Sequence, residues 1–134
     1  MIGNMKRIIN LCNGPYTDEA DFKKAFLLQM RKRFRGVTFF EIENEKEDGM
    51  PDILAASYGQ PAVFTELKFI REDGKAVFQP TQPLWYKINA KLRIQIIAWD
   101  SRNRTVVWID PAYVVRKKEL RIDVPLEIKE EIEI

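Results

Sequence analysis

From Arg93 to Trp99 the chain reads Arg-Ile-Gln-Ile-Ile-Ala-Trp, a mostly apolar run. A strand that is apolar on both faces belongs in the middle of a sheet, with cover on each side. Cover is available on its N-terminal side. Leu84, Ile88 and Leu92 recur at helical spacing from about Thr81 to Leu92, and Pro83 is tolerated in the first turn of a helix. An earlier helix is predicted over residues 18–35. Thr17 or Asp18 supplies its N-cap, and Asp18, Glu19 and Asp21 place acid in the first turn. Phe22, Phe26, Leu27, Met30 and Phe34 form its apolar stripe, basic residues fill the last turn, and Gly36 ends it.

Strands are predicted at Val37 to Glu43, Pro51 to Ser57, Ala62 to Phe69 and Thr105 to Ile109, where β-branched and aromatic residues gather between turn residues. The second and third are joined by Tyr58-Gly59-Gln60-Pro61, while Asn44 to Gly49 and Arg71 to Lys75 are charged loops. The order is helix, three strands, helix, two strands (αβββαββ). Such an order specifies an α/β fold with a central mixed β-sheet flanked by helices. The 134 residues suit one domain, with a core at about residues 17–110 and a charged C-terminal extension over 116–134. From Glu119 that extension alternates apolar and charged residues, which suits either an added edge strand or a flexible end.

Composition narrows the chemistry. The chain has no histidine and one cysteine. No Ser-His-Asp triad, Cys-His pair or His-ligated zinc site can be built from it. Cys12 has no imidazole to activate it and reads as a buried spectator. A metal site would have to use carboxylates and backbone oxygens, ligands that suit Mg²⁺ or Mn²⁺. A lone cysteine fits a cytoplasmic location. Met1 to Asn13 lacks the apolar centre of a signal peptide. No apolar run approaches the roughly 18 residues of a membrane span. The net charge is only +2, yet cations cluster at Arg31, Lys32, Arg33 and Arg35, at Lys87, Lys91, Arg93, Arg102 and Arg104, and at Arg116 to Lys118. Such clusters are usually solvated faces, and they also permit a polyanionic partner.

The informative stretch is Gly49-Met50-Pro51-Asp52-Ile53-Leu54, followed by Glu66-Leu67-Lys68. Side chains alternate faces along a strand, so Glu66 and Lys68 point the same way. A hairpin centred on Gly59 sets Asp52 opposite Glu66 and gathers all three side chains on one sheet face; a slip of one residue would move Asp52 to the other face. Two adjacent carboxylates repel, and burial raises at least one pKa unless positive charge sits between them. A divalent cation relieves that repulsion, and Lys68 alone can also do so as a plain ion pair.

These residues resemble the signature of the PD-(D/E)XK nuclease superfamily, with Pro51-Asp52 and Glu66-Leu67-Lys68 as its two halves. Within it, Gly49-Met50-Pro51-Asp52, then Phe64-Thr65-Glu66-Leu67-Lys68, then Gln79 or Gln82 with Trp85, are similar to the virus-type replication-repair nuclease (VRR-NUC) group. The resemblance implies a restriction-endonuclease-like core and Mg²⁺- or Mn²⁺-dependent endonucleolytic hydrolysis of DNA in replication, repair or recombination. It implies that Asp52, Glu66 and the carbonyl of Leu67 hold the metal. Lys68 would orient or activate the attacking water, and Gln82, with Gln79 as the competitor, would support the site. An additional acid is common in the superfamily; Glu19, Glu41 and Glu43 are the candidates. Branched or flapped DNA is the implied substrate, gripped at Arg31, Lys32, Lys87 and Lys91 on the two flanking helices. Trp85 and Tyr86, near Gln82, are candidates to stack on a base exposed at a junction or flap, and for Trp85 a core role is the alternative. Cutting two strands calls for two sites, hence a homodimer, with Ile128, Ile132 and Ile134 of the tail as interface candidates. A Holliday-junction resolvase of the same fold and a non-catalytic nucleic-acid-binding module are the alternatives.

Overall fold

A computed structural model describes residues 3–42 and 48–133. Glu43 and Ile134 lie outside the described residues. Strand β1 (Met5–Ile9) precedes helix α1 (Glu19–Arg33), and strands β2 (Val37–Glu41), β3 (Ile53–Ser57), β4 (Val63–Ile70) and β5 (Lys75–Val77) follow. Helix α2 (Thr81–Ile88), strands β6 (Arg93–Asp100) and β7 (Thr105–Ile109), helix α3 (Pro111–Lys117) and strands β8 (Arg121–Asp123) and β9 (Glu131–Glu133) complete the order. The fold is mixed α/β: a seven-stranded sheet in the order β2-β3-β4-β6-β7-β1-β9, with a separate two-stranded ribbon of β5 and β8. β4 pairs parallel with β6 and β1 with β9, and the other pairs are antiparallel.

β6 is the middle strand of the seven, as its apolar run requires. Alternate residues divide between two cores. On one face Ile53, Leu67, Ile97, Trp99 and Val106 pack against Phe22, Phe26, Leu27 and Met30 of α1. On the other, Ile70, Ile96, Ala98, Val107 and Ile109 pack with Trp85 and Tyr86 of α2 and Val114 of α3. Asp18 caps α1 through its side chain, which accepts from the Asp21 amide at 2.8 Å. Phe34, expected in the α1 stripe, is exposed because the helix has ended at Arg33 and Phe34 has left helical geometry.

The second helix differs from its expected form. Leu84, Ile88 and Leu92 are 56, 71 and 46% exposed, so the stripe that suggested the helix is its outer face. The buried residues are Gln82, Trp85 and Tyr86, which share a face at the same spacing. Two aromatic side chains bury about 150–250 Å² each and outweigh two aliphatic ones in a short helix. Trp85 meets Phe64 edge-on with ring centroids 5.4 Å apart, and Tyr86 meets Phe78 at 6.4 Å. Neither ring is free to stack on a nucleobase, which removes that alternative for both.

The C-terminal extension is built into the fold. β8 pairs with β5, and β9 lies parallel to β1 at the sheet edge. Ile128 is buried in the α2–α3 core, so of the tail residues suggested for an interface only Ile132 is exposed among those described.

Candidate active site

β3 and β4 pair in the expected register: Ile53 faces Thr65, Leu54 faces Phe64 and Ala55 faces Val63. The ladder stops at Thr65, while β4 runs on to Ile70 beside β6. Residues Glu66 to Ile70 therefore have a paired strand on one side and an open edge on the other. Asp52 sits at that edge, where its Oδ2 accepts the Leu67 amide at 3.3 Å. The N–H and C=O of one residue in an extended strand face the same side, so the Leu67 carbonyl faces the same opening.

Strand alternation puts Glu66 and Lys68 on the α2 face. Both are buried among apolar neighbours. The Lys68 Nζ lies 3.8 Å from Glu66 Oε1 and 4.7 Å from the centre of the Phe78 ring. Gln82, on the first turn of α2, joins them. Its Nε2 donates to Glu66 Oε1 at 2.6 Å, and its Oε1 accepts from Lys68 Nζ at 2.8 Å. The same oxygen accepts the Gln79 amide at 2.8 Å, which ties the start of α2 to the site. The opposite amide orientation would set donors against Lys68 and the Gln79 N–H, and an acceptor against a carboxylate. Of the two glutamines that competed for this place, Gln82 supplies the side chain and Gln79 only its backbone.

Gly49 explains the spacing of the loop before Asp52. It adopts φ +85°, and a Cβ there would lie 2.1 Å from the Thr81 carbonyl oxygen. The backbone of this loop thus touches the backbone of the α2 N-terminus, bringing Asp52 and Gln82 to one place. The positive φ and the close approach both require glycine.

Tyr86, expected from the sequence only as a ring to stack on a base, is buried in the α2 core. Its hydroxyl is buried and has no hydrogen-bond partner among the described residues. Burial, then the charge of Glu66, then that of Asp52 push the phenol far above its ordinary value. Tyr86 shares the buried face of α2 with Gln82. Cys12 is buried, and its thiol is pushed up by that burial, in keeping with a spectator.

The additional acids separate. Glu41 pairs with Ile53 and lies on the α1 face beside Lys23, Lys24 and Arg31, opposite to Glu66. Glu19, at the first turn of α1, lines a cleft of about 440 Å³ together with Lys68. Among the described residues no group of three or more acidic or cysteine side chains is arranged to hold a metal. Asp52, Glu66 and the Leu67 carbonyl are the oxygen donors the open edge offers. The expected DNA-gripping residues are exposed but stand elsewhere. Arg31 and Lys32 end α1 on one face, and Arg31 donates to the Phe39 carbonyl at 3.0 Å. Lys87 is in the last turn of α2, where it lines an apolar groove against α3, and Lys91, expected on that helix, lies in the turn after it because α2 ends at Ile88. None of the four lines the cleft that holds Lys68.

Among the described residues no helix is long and apolar enough to cross a membrane. No protein-family model matches the chain, and no curated protein matches it.

Proposed function

We propose that the chain is a Mg²⁺- or Mn²⁺-dependent DNA nuclease with a restriction-endonuclease-like core, of the VRR-NUC kind. The observation that carries this reading is the coupled set of Asp52, Glu66, Lys68 and Gln82 at the open edge of β4. Of this set Lys68 lines a cleft, together with Glu19, while Glu66 and Gln82 are buried behind it. The donor set fits the metal: carboxylate and carbonyl oxygens are hard ligands, and the chain has no histidine. Asp52, Glu66 and the Leu67 carbonyl would hold the ion, with Glu19 the added acid nearest the cleft. A bound divalent cation supplies acidified water and a sink for charge developing on phosphate oxygens.

The chain's own residues do the rest. Lys68, lining the cleft, places positive charge where a phosphodiester gains negative charge during attack. Gln82 holds the Lys68 ammonium and the Glu66 carboxylate in fixed relation without adding charge. Asp52 is oriented by the Leu67 amide before any ligand arrives.

The resemblance to VRR-NUC sequences points to branched or flapped DNA, and a duplex cut on both strands calls for a homodimer. The experiment is a panel of labelled linear duplex, single strand, flap and four-way junction, with Mn²⁺ and with chelator. Metal-dependent cutting that favours the flap or junction supports the proposal, and junction-only cutting assigns a resolvase. Binding without cutting under every metal tested would leave a non-catalytic module and overturn the enzyme reading.

A further inference from the structure

The β5–β8 ribbon has one face in the core and one face on the cleft. Ala76 and Ile122 point inward and are buried. Their neighbours Lys75, Val77 and Arg121 line the cleft that Lys68 opens into, joined by Arg71 from the preceding turn. Asp18, Glu19 and Asp73 line it as well.

Most of these charges are already engaged. Asp18 accepts the Asp21 amide and Asp73 accepts the Lys75 amide, each within its own turn. Lys75 is paired with Asp123 on the ribbon. Arg71 and Arg121 are different: both are exposed, and among the described residues neither guanidinium has a hydrogen bond or ion pair. The cleft therefore carries the carboxylates of Asp18, Glu19 and Asp73 as well as cations, and with Lys68 beside Glu66 and Lys75 paired to Asp123, Arg71 and Arg121 are the cations in it that no carboxylate of the described residues pairs.

The backbone beneath them is fixed. Gly74 donates to the Arg71 carbonyl at 2.9 Å, and Val124 donates to the Gly74 carbonyl at 2.8 Å. Arg102 holds the Val124 carbonyl at 2.7 Å and grips the buried Asp100 with two hydrogen bonds, at 2.9 and 2.8 Å. Asp100 ends β6, the middle strand, so the turn carrying Arg71 is anchored to the sheet. Two guanidiniums on an anchored ribbon suit a ligand with repeated anionic groups, because arginine presents paired donors to phosphate oxygens.

We propose that Arg71 and Arg121 take successive backbone phosphates of the DNA strand that enters beside Lys68, making the C-terminal extension through β8 part of the substrate cleft. This rests on the nuclease reading for its substrate but not for its measurement. The test is metal-free binding of a fluorescein-labelled duplex and single strand by anisotropy, across a salt series, alongside Mn²⁺-dependent cleavage. Arg71→Ala/Arg121→Ala should bind both at least about tenfold more weakly, with a salt slope on duplex shallower by about two. Arg71→Lys/Arg121→Lys should recover much of the loss. Lys87→Ala/Lys91→Ala, at the end of α2 and in the turn after it, should bind nearly as the parent does. Thermal denaturation checks that each variant is folded. Unchanged binding by the double alanine variant, or a larger loss in the Lys87/Lys91 variant, overturns the proposal even if the protein cleaves DNA. Weakened binding in a protein that cuts no DNA would keep the cleft assignment while rejecting the nuclease reading.

Discussion

The Gln82 side-chain nitrogen lies 2.6 Å from Glu66 Oε1, so one amide connects the start of α2 to the middle of β4. Its oxygen also receives Lys68 and the Gln79 amide. Gln82→Ala removes hydrogen bonds to two charged groups, worth about 1.5–3 kcal/mol each. The variant should unfold at lower denaturant concentration. Its cleavage rate at saturating DNA should also fall while metal-free DNA binding holds. Loss of stability with an unchanged single-turnover rate would make Gln82 a structural strut alone.

Asp52 and Glu66 are expected to be the metal ligands. Either alanine variant should lose cleavage and bind Mn²⁺ more weakly in calorimetric titration. Full cleavage by Asp52→Ala would remove this assignment, since Asp52 holds the Leu67 amide at the edge of β4 where the ion would sit.

Lys68 should act on the chemical step. With its ammonium directed to Gln82 and 3.8 Å from Glu66, it contributes charge beside the metal ligands rather than a ligand itself. Lys68→Ala should retain Mn²⁺ binding and cut at least about a hundredfold more slowly in single turnover, the scale of one lost contact to a developing oxyanion. A normal single-turnover rate would leave Lys68 as a counter-ion for Glu66.

Much of this geometry was legible in the sequence because it depends on short-range rules. Strand alternation put Glu66 and Lys68 on one face, and the glycine-centred turn set the Ile53–Thr65 register that brings Asp52 to them. What was missed depended on distant partners. β5 and β8 have three residues each and exist because they pair with each other across the chain. β1 finds β7, and β9 finds β1, with no hairpin signal between them. The α2 face was misread because aliphatic spacing was followed while Trp85 and Tyr86 carried the buried area. α3 had a usable signal: Asp110 caps it by accepting the Ala112 amide, and Pro111 follows at the first helical position. The cations around Lys68 form no cluster along the chain, since Arg71 and Lys75 come from one segment and Arg121 from another.

Gly49→Ala tests the contact between the Asp52 loop and α2. The added methyl meets the Thr81 carbonyl on a backbone already at φ +85°. Neither chain can yield cheaply, so the variant should lose stability and displace Asp52 from Gln82. Thermal denaturation should show a lower midpoint, and cleavage should drop although no site side chain has changed. A variant with the parent's midpoint and rate would show that this backbone contact does not hold the site together.

Tyr86 offers a test in which stability and activity should move in opposite directions. Its hydroxyl is buried without a partner among the described residues, at a cost of about 1–3 kcal/mol for an unsatisfied polar group. Tyr86→Phe removes that cost and keeps the ring against Phe78, so the metal-free protein should be at least as stable as the parent at neutral pH. The pH dependence has a defined sign. Burial and the charges of Glu66 and Asp52 raise the folded-state pKa above the ordinary 10.0, so the fold favours the protonated phenol. The unfolded chain releases this proton first, and parental stability should therefore be intact below pH 10.0 and fall as pH rises above it. In chelator, Tyr86→Phe should show a shallower alkaline decline. Tyr86 shares the buried face of α2 with Gln82, which makes its hydroxyl a candidate donor to a water or phosphate oxygen at the site, and its loss should then slow cleavage by roughly tenfold or more. Higher stability with unchanged cleavage would reduce Tyr86 to a packing residue. Lower stability at neutral pH would show that the hydroxyl has a partner in the folded protein.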